Sequence, residues 1–353
     1  MKKILLGTIL LIAGVVFYSC SKDSSSPATT TVADDKQNIT KTFNDFYGCL
    51  NTLDDGDLSN FLLYSLFNNT AQTYNDSYLN ALKVQFELQY GKIILNDKLQ
   101  FANRTGVYTW SQTANSWTKV SNSSVIKLIF PSRTTNPALD SELTLNSYND
   151  SSVTYTTKTY WLPTGASLTL KRNNNTVFTA DISNVSFVIG TNFSMPISAD
   201  ITILTAPFTH TFTWRRNTPT DFSLTYSSSS TAGCGTSLTA NVKLNDSDYA
   251  NITSAKDDLK LVSGSVTSGS LTINYAVNVL GLSVYTDPSD AQVNANTDAE
   301  VFYNGTKIGD LDYRTINNKV EIFIIYSDGT SENVETYVSD FEQTVRNIFD
   351  AYL

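Results

Sequence analysis

Apolar and polar residues change their spacing once along this chain. Between residues 38 and about 100 apolar positions recur every three or four residues. From about residue 105 they alternate with polar ones, the period of a strand with one buried face. In the first region Ile39, Phe43, Phe46, Tyr47 and Leu50 fall on one side of a helix predicted over 38–50. After the turn-forming Asp54-Asp55-Gly56 a second helical segment begins at Asp57. A third is predicted over 76–95, although its last five residues (GKIIL) suit a strand equally well.

The alternating region divides into hairpins. Residues 107–120 (VYTWSQTANSWTKV) turn near Thr113-Ala114, and a symmetric register sets Trp110 opposite Trp117 on one face. Strands are predicted at 124–130, 141–148, 165–172 and 176–182, the last two joined by Asn173-Asn174-Asn175. Asn304-Gly305 and Asp328-Gly329, each beside alternating residues, mark two further hairpins. Tyr337, Phe341, Val345, Ile348 and Tyr352 share one helical face, predicting a closing helix over 334–353. Residues 167–203 match 237–273 at nine of thirty-seven positions without gaps, which reads as a repeated hairpin module or as shared Ser/Thr/Asn bias.

The expected fold is therefore α+β and β-rich. An antiparallel β-meander forms a curved sheet, half-barrel or sandwich, with N-terminal helices before it and a C-terminal helix after it. A mainly helical segment over 38–100 would precede a β-rich body over 101–353.

The first twenty residues follow neither period. Lys2 and Lys3 precede an apolar stretch over residues 4–16, and Phe17-Tyr18-Ser19-Cys20 follows. As a helix that stretch is near 20 Å long, short of the roughly 30 Å a hydrocarbon core requires. A charged start and a short apolar run are the layout of a secretory signal. Cys20 stands where cleavage would fall, with Ser19 before it and Phe17 at the third place before it. The stretch resembles a bacterial lipoprotein signal, and with Ser-Lys-Asp following it is similar to signals of Bacteroidota envelope lipoproteins. That resemblance implies cleavage after residue 19, lipidation of Cys20, and anchoring to the outer membrane on its periplasmic face or at the cell surface. Residues 20–37 hold almost no large apolar side chains and read as a lipid-anchored flexible linker.

Composition narrows the function. With 24 Lys+Arg against 33 Asp+Glu the net charge is −9, which argues against nucleic acid as a partner. Cys49 and Cys234 remain after Cys20. In an exported chain they either form a disulfide or lie as two buried thiols. No CxxC, HExxH, GxSxG or phosphate-binding glycine loop occurs, so the sequence nominates no catalytic residue, metal ligand or cofactor. The acidic clusters at 54–57, 245–248 and 287–290 lie in predicted turns and lack EF-hand spacing.

The one histidine, His210, shares a strand face with Phe208, Phe212 and Trp214. It is either packed at the edge of an aromatic core or a polar contact in an aromatic pocket. Trp110, Trp117 and Trp161 could form a sugar-binding platform if exposed, and core if not. The leading expectation is a non-catalytic envelope lipoprotein that holds an apolar or lipid ligand or serves a structural or partner-binding role. A glycan-binding surface protein and a carboxylate-based hydrolase are the alternatives.

Overall fold

A computed structural model describes residues 19–20, 31–66, 77–96, 98–133, 135, 138–155, 158–189, 194–231, 233–247 and 258–338. The chain divides into two compact units. One is discontinuous and joins Met1–Thr52 to Thr213–Tyr352; the other is the intervening Leu53–Phe212. The division differs from the boundary expected near residue 100, because the first helix belongs to one unit and the next two to the other.

In the intervening unit, α2 (Asp57–Leu66) and α3 (Ser77–Tyr90) precede a set of strands. These are β1 (Gly106–Ser111), β2 (Ser116–Ser121), β3 (Ile126–Phe130), β4 (Ser141–Tyr155), β5 (Lys158–Arg172), β6 (Asn175–Ile189) and β7 (Ser194–Thr205). Their order in the sheet is β2-β1-β3-β4-β5-β6-β7, antiparallel except for the parallel β1–β3 pair. Trp110 and Trp117 are direct partners in the β1–β2 hairpin, as the symmetric register predicts. Asn173 and Asn174 close the β5–β6 turn with φ of 50° and 66°, a left-handed conformation that asparagine tolerates. The expected third helix stops at Tyr90, and Ile94–Leu95 pair with Lys98–Leu99 instead. The core gathers Phe61 of α2, Leu82 and Phe86 of α3, and Tyr108, Trp110, Trp117, Phe130, Leu170 and Val177 of the sheet.

In the discontinuous unit, α1 (Val32–Asp54) packs against an uninterrupted antiparallel meander. Its strands are β9 (Asp221–Ser230), β10 (Cys234–Leu244), β11 (Leu259–Ser268), β12 (Leu271–Val277), β13 (Thr297–Tyr303), β14 (Thr306–Ile316), β15 (Lys319–Tyr326) and β16 (Ser331–Asn333). Each pairs with the next in chain order. The strand β8 (Phe208–Arg216) runs across the boundary of the two units. Two short helices, α4 (Val279–Ser283) and α5 (Asp290–Ala295), lie between β12 and β13. The hairpin at Asn304-Gly305 forms with φ of 48° and 77° and leaves Tyr303 opposite Thr306. Of the expected C-terminal helix, 335–338 is helical, and its later positions lie outside the described residues.

Helix α1 begins six residues before the predicted start, which shortens the expected linker. The reason is local. Thr31 Oγ1 accepts from the Asp34 backbone N–H at 3.2 Å, and the Asp34 carboxylate accepts from the Thr31 N–H at 2.9 Å. This reciprocal cap satisfies helix-end donors that would otherwise be orphaned. The alignment of 167–203 with 237–273 superposes the end of β5 on β10. It then lays β6 over residues 245–259, where 245–247 are outside any strand and 248–257 outside the described residues. The ladders differ as well, since Ser167 is opposite Asp181 whereas its counterpart Ser237 is opposite Thr267.

Candidate functional site

Strand alternation builds a cavity in the discontinuous unit. On β12 the side chains of Leu271, Ile273, Tyr275 and Val277 point to one face, two residues apart. Across the β12–β13 ladder Ile273 is opposite Val301, Tyr275 opposite Ala299 and Val277 opposite Thr297. On the next pair of strands Leu311 is opposite Ile324 and Tyr313 opposite Ile322. All of these line one cavity of about 120 Å³. Ile39 and Phe43, one helical turn apart on α1, form another wall, and Val293 of α5 a third.

One border of this cavity is polar and internally satisfied. Asn294 of α5 donates from Nδ2 to the Asp312 carboxylate, and to the Tyr313 carbonyl at 2.9 Å. Its Oδ1 accepts from the Tyr313 N–H at 2.8 Å. Arg314 Nε donates to Asp312 at 3.0 Å. One turn earlier Asp290 accepts from the Thr315 N–H and hydroxyl, both at 2.7 Å. Two side chains four residues apart thus pin α5 to β14. The Ser289 N–H donates to Gln292 Oε1 at 2.9 Å at the helix start. Within this acidic cluster, whose sequence suits a turn, Ser289-x-x-Gln292 is a capping pattern.

The opposite border is aromatic. Phe43 stacks on Tyr337 with centroids 6.3 Å apart and rings 15° from parallel. Tyr337 donates to Glu332 at 2.6 Å and shares a 2.7 Å hydroxyl contact with Tyr326. Burial first, and then the Glu332 carboxylate, push the Tyr337 phenol well above its usual range. Donation by that phenol holds Glu332 below the ordinary carboxylate range. Lys36 pairs with Glu332 at 3.1 Å and lies over the Tyr326 ring at 5.3 Å. A second, polar pocket of about 230 Å³ lies here, and it shares Phe43 and Tyr337 with the apolar cavity.

The residues nominated from the sequence lie in several separate places. Cys49 of α1 and Cys234 at the start of β10 form a disulfide. Both are buried, and the bond joins the two chain segments of the discontinuous unit. The Cys20 backbone lies antiparallel beside Cys234; its side chain is outside the described residues. Trp110 and Trp117 are 5% and 3% exposed and meet edge-on at 65°, so they are core and not a flat solvent-facing platform. Trp161 is half-buried with Lys98 Nζ seated 3.7 Å above its ring.

His210 stacks on the fully buried Phe208, and its Nε2 meets Thr205 Oγ1 at 2.9 Å. Burial pushes its pKa below the ordinary histidine value. Trp214 stacks on Phe222 with centroids 5.5 Å apart. None of these five aromatic positions lines the apolar cavity. Among the described residues no group of three or more His, Cys, Asp or Glu could hold a metal ion. No described helix is long and apolar enough to cross a membrane. No protein-family model matches this chain, and neither curated proteins nor solved structures yield a match to it.

Proposed function

We propose that this protein is a non-catalytic, lipid-anchored envelope protein whose discontinuous unit binds a small apolar or amphipathic ligand. The carrying observation is the cavity of about 120 Å³ under α1, lined mostly by Ile, Leu, Val, Phe and Tyr side chains. Ligand sites are typically concave and mainly apolar, with a few polar groups that fix orientation. A dry apolar cavity of about 150 Å³ is enough to take benzene. The volume here suits a ring or the end of an alkyl chain and is too small to enclose a long acyl chain. The anchor rests on the sequence around Cys20.

Two experiments test the reading. Organic extraction of the protein purified from its own membranes, followed by mass spectrometry, should release one class of apolar compound in near-stoichiometric amount. Ala299→Phe, which places a ring in the cavity, should purify without that compound while retaining wild-type circular dichroism. Recovery of the same compound from the variant would rule out this cavity as its site. For the anchor, Cys20→Ala should abolish acyl labelling and release the protein from the membrane fraction. Continued acyl labelling would end the lipidation assignment.

A further inference from the structure

The two pockets of the discontinuous unit have opposite chemistry and a common wall. Phe43 and Tyr337 line both the apolar cavity and the polar pocket beside it. An occupant that reaches past this stacked pair therefore has an apolar end and a polar end.

We propose that the ligand is a short-tailed amphiphile with an uncharged, hydroxyl-rich head, tail in the apolar cavity and head in the polar pocket. This rests on the reading of the apolar cavity given above. The head chemistry follows from the groups lining the second pocket. Its charged side chains are Lys36 and Glu332, and they already neutralise one another at 3.1 Å. Glu332 also accepts from the Tyr337 hydroxyl at 2.6 Å, so its charge is fixed in place from two sides. An anionic head would have to approach Lys36 against Glu332, and a cationic head would have to approach Glu332 against Lys36. Either approach brings like charges near one another and gains little over the existing pair.

The remaining polar lining suits a neutral head. The Asn44 amide and the Thr336 hydroxyl are exposed and supply both donors and acceptors. Thr40 spends its proton on the Lys36 carbonyl at 2.9 Å and keeps lone pairs free to accept. A vicinal diol or polyol matches such a set, because every hydroxyl both donates and accepts. The tail is limited to about six carbons by comparison with the benzene-sized cavity.

The test uses the full chain carrying Cys20→Ala, so that no detergent is needed, and isothermal titration with five probes. These are toluene, hexyl glucoside, 1-hexanoylglycerol, hexanoate and hexylammonium. At least one of the two neutral-head amphiphiles should bind about tenfold tighter than toluene and than either ion, the gain expected from one or two net hydrogen bonds. A preference for the glucoside would identify a sugar head, and one for hexanoylglycerol a glyceride. Asn44→Ala and Thr336→Val should each weaken that amphiphile severalfold and leave toluene unchanged.

Equal or tighter binding of hexanoate or hexylammonium overturns the inference. So does a neutral-head preference that survives both substitutions. If toluene binds and no head adds affinity, the inference fails while the cavity reading stands. If no probe binds, toluene included, both fail.

Discussion

The Cys49–Cys234 disulfide gives the sharpest energetic prediction. It joins α1 to β10 across a sequence separation of 185 residues, within a unit whose two segments are otherwise joined covalently only through the intervening one. Replacing both cysteines with alanine removes that constraint from the unfolded ensemble. The chain-entropy relation gives about 5 kcal/mol for a loop of this length. If the intervening unit stays folded while the discontinuous one opens, only short flanking stretches fluctuate. The gain then falls toward the roughly 3 kcal/mol of a 15-residue loop.

Native-state hydrogen exchange read by mass spectrometry separates these cases peptide by peptide. With the intervening unit folded, protection in α1 and in β9–β16 should fall by about two orders of magnitude, since 1.4 kcal/mol is tenfold. Peptides from β1–β7 should keep their protection. Unchanged exchange in α1 would show that the disulfide contributes nothing to the stability of this unit. An equal loss in both units would show that they unfold together and would refute the division of the effect.

Four further substitutions probe how each unit is held. Trp117 donates from its indole to the Leu82 carbonyl at 2.8 Å, whereas the buried Trp110 indole nitrogen has no hydrogen-bond partner. Trp117→Phe should therefore cost at least about 1 kcal/mol more than Trp110→Phe in urea unfolding, and equal costs would contradict the assignment. A Cβ added at Gly264 would lie 1.9 Å from the Thr239 carbonyl oxygen and 2.8 Å from the Tyr275 hydroxyl. Gly264→Ala should destabilise the discontinuous unit by about 2 kcal/mol or more, and a neutral result in thermal unfolding would mean that β10 and β11 yield more easily than their ladder suggests. His210 has a pKa lowered by burial, so the unfolded chain binds its proton at higher pH than the folded one. Stability should be fully present above pH about 6.5 and decline as pH falls through that value. In His210→Gln the part of that decline lying between pH 7 and 5 should shrink, and a melting profile identical to wild type would exclude His210 as its source.

The meander was legible because its cause is local. Alternation in 271–277 and 319–326 and the turn pairs Asn304-Gly305 and Asp328-Gly329 act within a few residues. The Trp110–Trp117 register followed from symmetry about a single turn. The start of α1 was equally local, in Thr31-x-x-Asp34, but the polar composition around it masked the cap. What no local pattern carries is which strands face which helix. The cavity needs Ile39 and Phe43 to meet residues more than two hundred positions later, and its polar border needs Asn294 to reach Tyr313. The candidate aromatics were chosen by residue type, and tertiary packing placed them in cores and stacks away from the cavity. The cysteine pair was nominated by counting, but only the fold brings α1 beside β10.

The space under α1 is the proposed apolar binding site. Its most direct measurement is saturation-transfer NMR of toluene with the Cys20→Ala chain and with the same chain carrying Ala299→Phe. A clear, saturable transfer signal is expected with the first protein and none with the second. An equal signal from both proteins, or none from either, would contradict it.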